Sequence, residues 1–265
     1  IKLLQQINPS LAEEYKKKYT RMIEKYGGYP EVIKSRTREE KETVLKNVFS
    51  LYLEKDIATF FRIDETSKFQ DFVKALAFNT AAILSLGGLA SDLKLSYRRT
   101  EEFLEILRHT YIVSTLKPFS RNLVTELKKA PKLYFWDLGL RNTALHNFSF
   151  FDTRADQGAL AENFVFRELT QVFGGELWYW RTTGKAEVDF VLMRDEDVIP
   201  VEVKLGGGKL GKGFHSFLKA YKPRRAVFVT LDTFKKQRIS ETIVSVSYTH
   251  LRAHETRHDL VCRLL

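Results

Sequence analysis

Residues 200–213 read PVEVKLGGGKLGKG, and this stretch carries two incompatible patterns. From Gly206 onward it nearly matches the phosphate-binding loop GxxxxGK[ST], which follows a strand in many nucleotide-binding proteins. That loop needs Ser or Thr after its lysine to hold Mg²⁺, but Gly213 follows Lys212. The preceding residues alternate charged and apolar side chains, whereas the strand before such a loop is usually apolar on both faces. We therefore interpret the glycines as a flexible basic loop before a helix, with Lys209 and Lys212 placed to contact phosphates.

The strand in this stretch is expected to pair with the preceding segment AEVDFVLM, residues 186–193. The loop RDED joins the two segments, and four-residue hairpin loops are common. If Met193 faces Val198, Asp189 lies opposite Glu202 on one face of the sheet. Two carboxylates in that position repel each other unless a cation lies between them. The register therefore predicts a pair of acids that needs a positive partner.

A lysine and a third acid are expected near this pair. Lys204 lies two residues after Glu202, so both side chains share a face, and the same register puts Lys204 across from Glu187. Glu162 belongs to the predicted helix ALAENFVFRELTQVF and lies on its apolar stripe. A charge on a stripe that faces a sheet is costly without a partner. Four ionisable groups from three elements are thus predicted to converge.

Metal-assisted phosphodiester hydrolysis is the chemistry that suits this arrangement. Asp189 and Glu202, with the carbonyl of Val203, offer the oxygen ligands that Mg²⁺ prefers. The ion polarises the phosphate and lowers the pKa of an attacking water. Lys204 orients that water or balances developing negative charge, and Glu162 holds a metal-bound water or a second ion. The candidate catalytic and metal-binding residues are therefore Glu162, Asp189, Glu202 and Lys204.

The same groups also permit an interpretation without chemistry. Lys204 and Arg181 can neutralise the acids as a closed cluster of ion pairs, with no metal present. Residue types and spacing leave both interpretations open.

Residues before 110 show no strand pattern and are expected to be helical. Residues 8–26 form a charged amphipathic pattern, which GGYP at 27–30 interrupts, and helix resumes at about Glu39. Further helices are predicted at 69–86, 89–93 and 97–109.

Two strands, YIVSTLKPF and PKLYFWD, follow these helices and flank a polar loop. Helices around a tight turn followed by a hairpin with a basic tip predict a winged helix. Its candidate DNA-binding residues are Arg98, Arg99, Lys128 and Lys129. The third helix carries Arg98, Arg99 and Arg108 but also Glu101, Glu102 and Glu105, so its charges cancel, and a purely structural role stays open.

The last part of the body is expected to have a different architecture. Helix and strand patterns follow the order α-β-β-β-α-β, which predicts a compact α/β core. The chain has 265 residues, a net charge of +10 and 6 histidines. A strongly basic chain favours polyanionic partners, DNA above all. We see no apolar run long enough to span a membrane, and with a body free of cysteine we expect a cytoplasmic protein.

Both ends of the sequence look truncated. Residues from about Val246 to Leu265 resemble a translated sequencing adapter, so we exclude them from the expected fold. The only cysteine, Cys262, lies in that tail with three of the histidines, which removes a zinc site from consideration. The chain begins at Ile1 inside helical sequence, so we expect it to be part of a longer gene product.

Several segments together resemble prokaryotic AAA-type ATP-binding proteins that end in a domain of unknown function with a PD-(D/E)XK nuclease-like fold. These segments are YGGYPEV at 26–32, LEKDI at 53–57, PKLYFWDLGLRN at 131–142, GALAENFVFREL at 158–169, WYWRTTGKAEVDFVL at 178–192 and IPVEVKLG at 199–206. The nuclease-like motif of that family falls on Glu162, Asp189, Glu202 and Lys204.

The resemblance implies a domain layout and a missing part. Residues 1–50 would be the remnant of an ATPase lid region, 51–146 a helical and winged-helix domain, and 155–240 the nuclease-like domain. ATP would bind only in a missing N-terminal ATPase domain, which would also mediate homo-oligomer or protein contacts.

Three functions are compatible with the sequence. The first is an ATP-coupled protein whose C-terminal domain cuts DNA with Mg²⁺. The second is a non-catalytic DNA- or protein-binding module that regulates the missing ATPase. The third is an antitoxin-like or transcriptional regulator built on the winged helix, in which Arg98 and Arg99 carry sequence-specific binding.

Overall fold

The computed structural model describes residues 21–23, 25–120, 130–173, 176–194, 197–205, 210–230, 235–239 and 242–248. These residues divide into two compact units. The first unit contains residues 21–115 and 130–155, and the second contains residues 116–120 and the described residues from 156 onward.

The first unit is mostly helical. Its α2 helix begins at a capping box, in which Thr37 accepts a hydrogen bond from the N–H of Glu40 and the Glu40 carboxylate accepts one from the N–H of Thr37. In chain order the elements are α1 (Pro30–Lys34), α2 (Arg38–Val48), a π-helical segment (Phe49–Ile57) continued by a short turn (Ala58–Phe60), α3 (Thr66–Phe78), α4 (Leu86–Asp92), α5 (Tyr97–His109), β1 (Val113–Leu116), β2 (Lys132–Phe135), α6 (Leu138–Ala144) and a 3₁₀ turn (Phe151–Thr153).

The first predicted helix of the winged region is shorter than expected. It ends at Phe78 rather than at residue 86, because the following residues pair with β2. The N–H of Ala81 donates to the carbonyl of Leu133, and Ile83 forms an antiparallel bridge with Lys132. The positive φ of Ala81, 62°, marks the reversal that apolar periodicity did not reveal.

The two predicted strands of this region are present, as the two-stranded sheet β1-β2. The helices pack on that sheet through one apolar core, in which Phe103 contacts Phe69 and Phe72 with ring centroids 5.0 and 5.8 Å apart. Edge-to-face and tilted arrangements of this kind add to the gain from burial. The loop with Lys128 and Lys129 lies outside the described residues.

The second unit contains a mixed sheet of six strands in the order β3-β4-β5-β6-β8-β7. Strands β3, β4 and β5 are antiparallel neighbours, β6 is parallel to β5 and β8, and β7 is antiparallel to β8. The elements are α7 (Gln157–Phe173), β3 (Leu177–Arg181), β4 (Glu187–Arg194), β5 (Asp197–Val203), α8 (Lys212–Tyr221), β6 (Arg225–Thr230), β7 (Lys235–Ile239) and β8 (Thr242–Tyr248).

The expected order α-β-β-β-α-β is present, but β7 and β8 extend the sheet beyond it. Val246 pairs with Phe228 inside β8, so the predicted boundary of the non-native tail falls within a strand. The alternation in TIVSVSY, residues 242–248, indicates a strand. The expected fold lacked this strand because its residues from Val246 onward were assigned to the tail.

Buried aromatic side chains fill the space between α8 and the sheet. Phe217 stacks on Tyr221 with centroids 4.4 Å apart, and Trp180 lies edge-on to Phe217 at 5.3 Å. Phe119 joins this core against Trp178. No helix among the described residues is both long and apolar enough to cross a bilayer.

Candidate functional site

The hairpin β4-β5 has the predicted register. Met193 pairs with Val198, which confirms the expected alignment. The ladder ends with Phe190 opposite Val201, one position before the expected pair of Asp189 and Glu202. Asp189 thus lies just outside the regular ladder.

A β-bulge accounts for the position of Asp189. On the other side of β4, Trp178 pairs with Val191 while Trp180 pairs with Val188. Two residues of β4, Asp189 and Phe190, therefore share one position of β3. Bulges redirect side chains and are frequent next to functional sites.

The Asp189 carboxylate is fixed by the neighbouring strand. Its Oδ2 accepts a hydrogen bond of 2.8 Å from the backbone N–H of Val203. The Val203 N–H lies just past the last pair of the β4-β5 ladder and donates to a side chain instead of to a strand carbonyl. This bond holds Asp189 beside β5. Charge-assisted bonds of this kind stabilise the ionised carboxylate.

Glu202 and Lys204 form an ion pair on β5 and the residues that follow it. The Lys204 ammonium lies 3.0 Å from Oε1 of Glu202, and their side chains are 45% and 6% exposed. The second oxygen, Oε2, is buried and receives no hydrogen bond from the described residues. Lys204 thus supplies the positive charge that a buried glutamate requires.

The pKa of Lys204 responds to the charges of three acids. Burial lowers this pKa, but the charge of Glu202, its hydrogen bond, and the charges of Asp189 and Glu162 raise it, and the net shift is upward. Three carboxylates from α7, β4 and β5 therefore act together on one ammonium group. The convergence of all four side chains stays a prediction.

The two acids of the hairpin fit a Mg²⁺ ion only in part. Mg²⁺ is commonly held by one or two carboxylates, with water and substrate phosphate completing its shell. Asp189 and Glu202 offer that kind of donor set. Among the described residues, however, no group of three or more His, Cys, Asp or Glu side chains is placed to hold a metal ion. An ion here would depend on water and substrate for most of its ligands.

Glu187 has a different partner from the one expected. It pairs in register with Arg181 of β3, and their charged groups lie 3.7 Å apart. The ion pair that the non-catalytic interpretation assigned to Arg181 is thus present, at Glu187.

Two glycines bring the start of α8 close to the acids. A Cβ on Gly213 would lie 2.3 Å from the carbonyl oxygen and 2.5 Å from the nitrogen of Glu187. A Cβ on Gly211 would lie 3.6 Å from Oε1 of Glu202. The residue that excludes a nucleotide loop therefore has a packing role, because only glycine permits this helix–strand approach.

The candidate DNA-binding residues have unequal surroundings. Arg99 is held by Glu102 at 2.9 Å and lies over the ring of Phe103 at 4.7 Å, whereas Arg98 is exposed and forms no ion pair with described residues. Lys212 is exposed at the start of α8, and Lys209 lies outside the described residues together with Lys128 and Lys129.

A second buried polar cluster escaped the sequence interpretation. Asp137 caps α6 by accepting from the N–H of Leu140 at 3.0 Å, and it also accepts from the N–H of Gly28 at 2.7 Å. Asn142 donates to the carbonyl of Lys25 at 3.0 Å. These bonds join the segments YGGYPEV and WDLGLRN. An acid directly before a helix is the signal that could have indicated the cap.

Three curated relatives of this chain are described as uncharacterized proteins. Proteins of Mycobacterium tuberculosis and Mycobacterium bovis are each 26% identical over 62% of this chain and 38% of their own length. A protein of Haemophilus influenzae is 25% identical over 68% of this chain and 44% of its own length. The chain therefore spans less than half the length of these relatives.

One solved structure, protein VC1899 from Vibrio cholerae, matches with 13% identity over 78% of this chain and 49% of that one. Its TM-score of 0.21 is too low to indicate a shared fold.

Two family matches divide the sequence. Residues 157–251, which include all four candidate catalytic residues, match a domain of unknown function, DUF4143, a domain typically tied to AAA-ATPase-associated proteins. Residues 17–150, about half of the chain, match another domain of unknown function, and the chain thus belongs to the family DUF8612.

Proposed function

We propose that the second unit is a Mg²⁺-dependent nuclease domain with a PD-(D/E)XK-like fold that acts on DNA phosphodiesters. The observation that carries this proposal is the geometry of the two acids of β4 and β5: the N–H of Val203 holds Asp189, and Lys204 lies 3.0 Å from the buried Glu202. Two acids beside a lysine, with Glu162 of α7 as a proposed third acid, are the groups that this hydrolysis uses.

The residues of this chain would divide the work as follows. Asp189 and Glu202 would hold Mg²⁺, and the bound ion would supply an activated water and polarise the phosphate. The bond from Val203 fixes the position of Asp189. Lys204 would leave Glu202 and neutralise the charge that develops on the phosphate. Glu162 would orient water from the helix side.

The first unit would act as a winged helix that contacts DNA. Three helices, α3 to α5, precede the β1-β2 sheet, and Ile83 adds a short bridge to β2. The net charge of +10 favours a polyanionic partner. Within the whole protein, we propose that both units follow a cytoplasmic AAA-type ATPase domain, which would bind ATP and mediate contacts with copies of itself or with other proteins.

A cleavage assay with a charge-removing variant tests the nuclease. The chain is incubated with plasmid DNA and Mg²⁺ or Mn²⁺, beside the variants Asp189→Asn and Asp197→Asn. Asp197 starts β5 at the other end of the hairpin and lies near the exposed Arg224, so it is a matched control. Cleavage that Asp189→Asn abolishes and Asp197→Asn preserves supports the proposal. Absence of cleavage by the unaltered chain with either ion contradicts it.

A non-catalytic DNA- or protein-binding module is the second candidate. The Glu202–Lys204 ion pair and the lack of a three-group metal site among the described residues favour it. In that case the cluster stabilises the fold, and the unit regulates the ATPase. Salt-sensitive retention of DNA without cleavage, unchanged in Asp189→Asn, would support this function.

A further inference from the structure

The α8 helix has an outer face with positive charge only. Residues 203–231 contain no Asp or Glu. Among the described helices of ten or more residues, α8 alone lacks an acid, since α2, α3, α5 and α7 all contain at least one. A helix that needed charge only for solubility would normally mix both signs.

The basic side chains lie on one side of the helix. Lys212, His215 and Lys219 fall within about 60° of one another at 3.6 residues per turn. The opposite side carries Phe214 and Phe217, which are fully buried against the sheet.

Lys222 continues the row beyond the helix. It ends α8 in the left-handed conformation, with φ of 45°. We name Lys212, His215, Lys219 and Lys222 the α8 stripe. All four are exposed, and none forms an ion pair with a described residue.

The α8 stripe begins beside the candidate catalytic residues. Gly211 lies against Oε1 of Glu202, and Gly213 lies against the backbone of Glu187. From Lys212 to Lys222 the row extends for about 15 Å, at 1.5 Å per helical residue. A DNA duplex of that length carries about nine phosphate charges.

We propose that the α8 stripe binds the phosphate backbone of duplex DNA and leads it to the carboxylates at the start of the helix. The choice of DNA as the ligand rests on the proposed function. The inference adds Lys219 and Lys222 as binding residues, and its test measures binding without cleavage. Unpaired lysines are suited to phosphates because each contact releases counterions, whatever the base sequence.

The test is the salt dependence of DNA binding in EDTA. Fluorescence anisotropy gives the affinity for a labelled duplex of about two helical turns between roughly 50 and 200 mM salt, the range in which phosphate contacts dominate the change. The variant is Lys212→Gln/Lys219→Gln/Lys222→Asn. The control, Lys34→Gln/Lys46→Gln/Lys185→Asn, removes three exposed lysines outside α8 and outside the helices α3 to α5, and Lys185 has a similar φ of 60°.

We expect the slope of log K against log salt to fall by about 0.9 for each lost contact, hence by about 2.7 in the α8 variant. The control slope should change by less than about one contact. Circular dichroism should show the same fold for all three proteins, because every changed side chain is exposed.

Three results would overturn the inference. The salt slope could fall equally in both triple variants, or it could stay unchanged in the α8 variant. Polyglutamate could also displace the labelled duplex as well as unlabelled duplex does. The outcome is separable from that of the cleavage assay. A chain that cuts DNA without using the α8 stripe would support the nuclease and contradict this inference. A chain that binds DNA through the α8 stripe but never cuts it would support this inference and contradict the nuclease.

Discussion

The backbone N–H of Val203 and the carboxylate of Asp189 are joined by a hydrogen bond of 2.8 Å across two strands. This bond gives Asp189 a structural role besides any role in chemistry. An alanine at this position would leave the N–H without its acceptor, whereas asparagine retains an oxygen of similar reach.

We therefore expect Asp189→Ala to lower the free energy of unfolding by about 1–3 kcal/mol, the usual cost of an unsatisfied donor. Asp189→Asn should lower it by less than about 1 kcal/mol, because only charge assistance is lost. Urea denaturation measures both. Equal losses would show that the bond contributes little, and Asp189→Ala would then be an equally good inactive control.

Lys204→Met removes the ammonium that pairs with the buried Glu202. The buried Glu202 would lose its positive partner, so we expect a loss of about 3 kcal/mol without metal, at the lower end of the usual cost because Lys204 itself is half-exposed. Because the competing charge is gone, Mg²⁺ should raise the melting temperature of the variant more than that of the unaltered chain. Thermal shift with and without Mg²⁺ checks this, with Lys219→Met as control. If Mg²⁺ stabilises neither protein, the acids do not form a cation site.

Gly213→Ala places a methyl group on the backbone of Glu187. We expect a loss of about 1–3 kcal/mol, as in other overpacked contacts. A methyl group added at Gly158, near the start of α7, would meet open space, so Gly158→Ala should be neutral or slightly stabilising. A mild effect at Gly213 in urea denaturation would mean that α8 can move away from β4.

Tyr29 predicts a loss of stability at high pH. Burial, followed by the charges of Asp137 and Tyr52, raises the pKa of Tyr29 from 10.0 to about 12. The folded state therefore holds the proton more tightly. The resulting stability is complete below pH 10 and is lost as the pH rises toward 12.

Unfolding followed between pH 9 and 12 should show a smaller decline in Tyr29→Phe than in the unaltered chain. In Asp137→Asn, absorbance titration should show the pKa of Tyr29 moving part of the way down, since burial remains its main cause. An unchanged titration would exclude Asp137 as a contributor.

Substitutions of Arg98 and Arg99 should have different effects in a DNA-binding assay. Arg98 is exposed, so Arg98→Gln should reduce the salt slope by about 0.9 if α5 contacts phosphates. Arg99 is engaged by Glu102 and Phe103, so Arg99→Gln should lower stability more than affinity. A larger loss of affinity in Arg99→Gln would reverse this assignment and favour a base-reading role for that residue.

The sequence predicted the hairpin register well because alternation and loop length restrict it to few alternatives. Met193 and Val198 pair as expected. The bulge at Asp189 was not predictable, because an extra residue leaves the alternation on either side intact. Asp189 therefore reaches β5 through its bond to Val203 rather than through the expected cross-strand pairing with Glu202.

Other misses have similar causes. The helix predicted to continue past Phe78 stops because residues 81–84 bond to β2, and that long-range pairing outweighs apolar periodicity. Asp137 also accepts a hydrogen bond from the N–H of Gly28, which lies 109 positions away in the sequence. Local pattern contains no information about such a partner.

Phe119 has a consequence for any attempt to handle the second unit as a separate piece. Its ring lies 5.4 Å from that of Tyr221, and its N–H donates to the carbonyl of Tyr179, although Phe119 precedes β2 in the chain. A polypeptide cut at residue 156 would lack this ring and expose the aromatic side chains it covers. The boundaries of the family matches thus differ from those of the compact unit. Fragments meant to isolate one activity should retain residues 116–120.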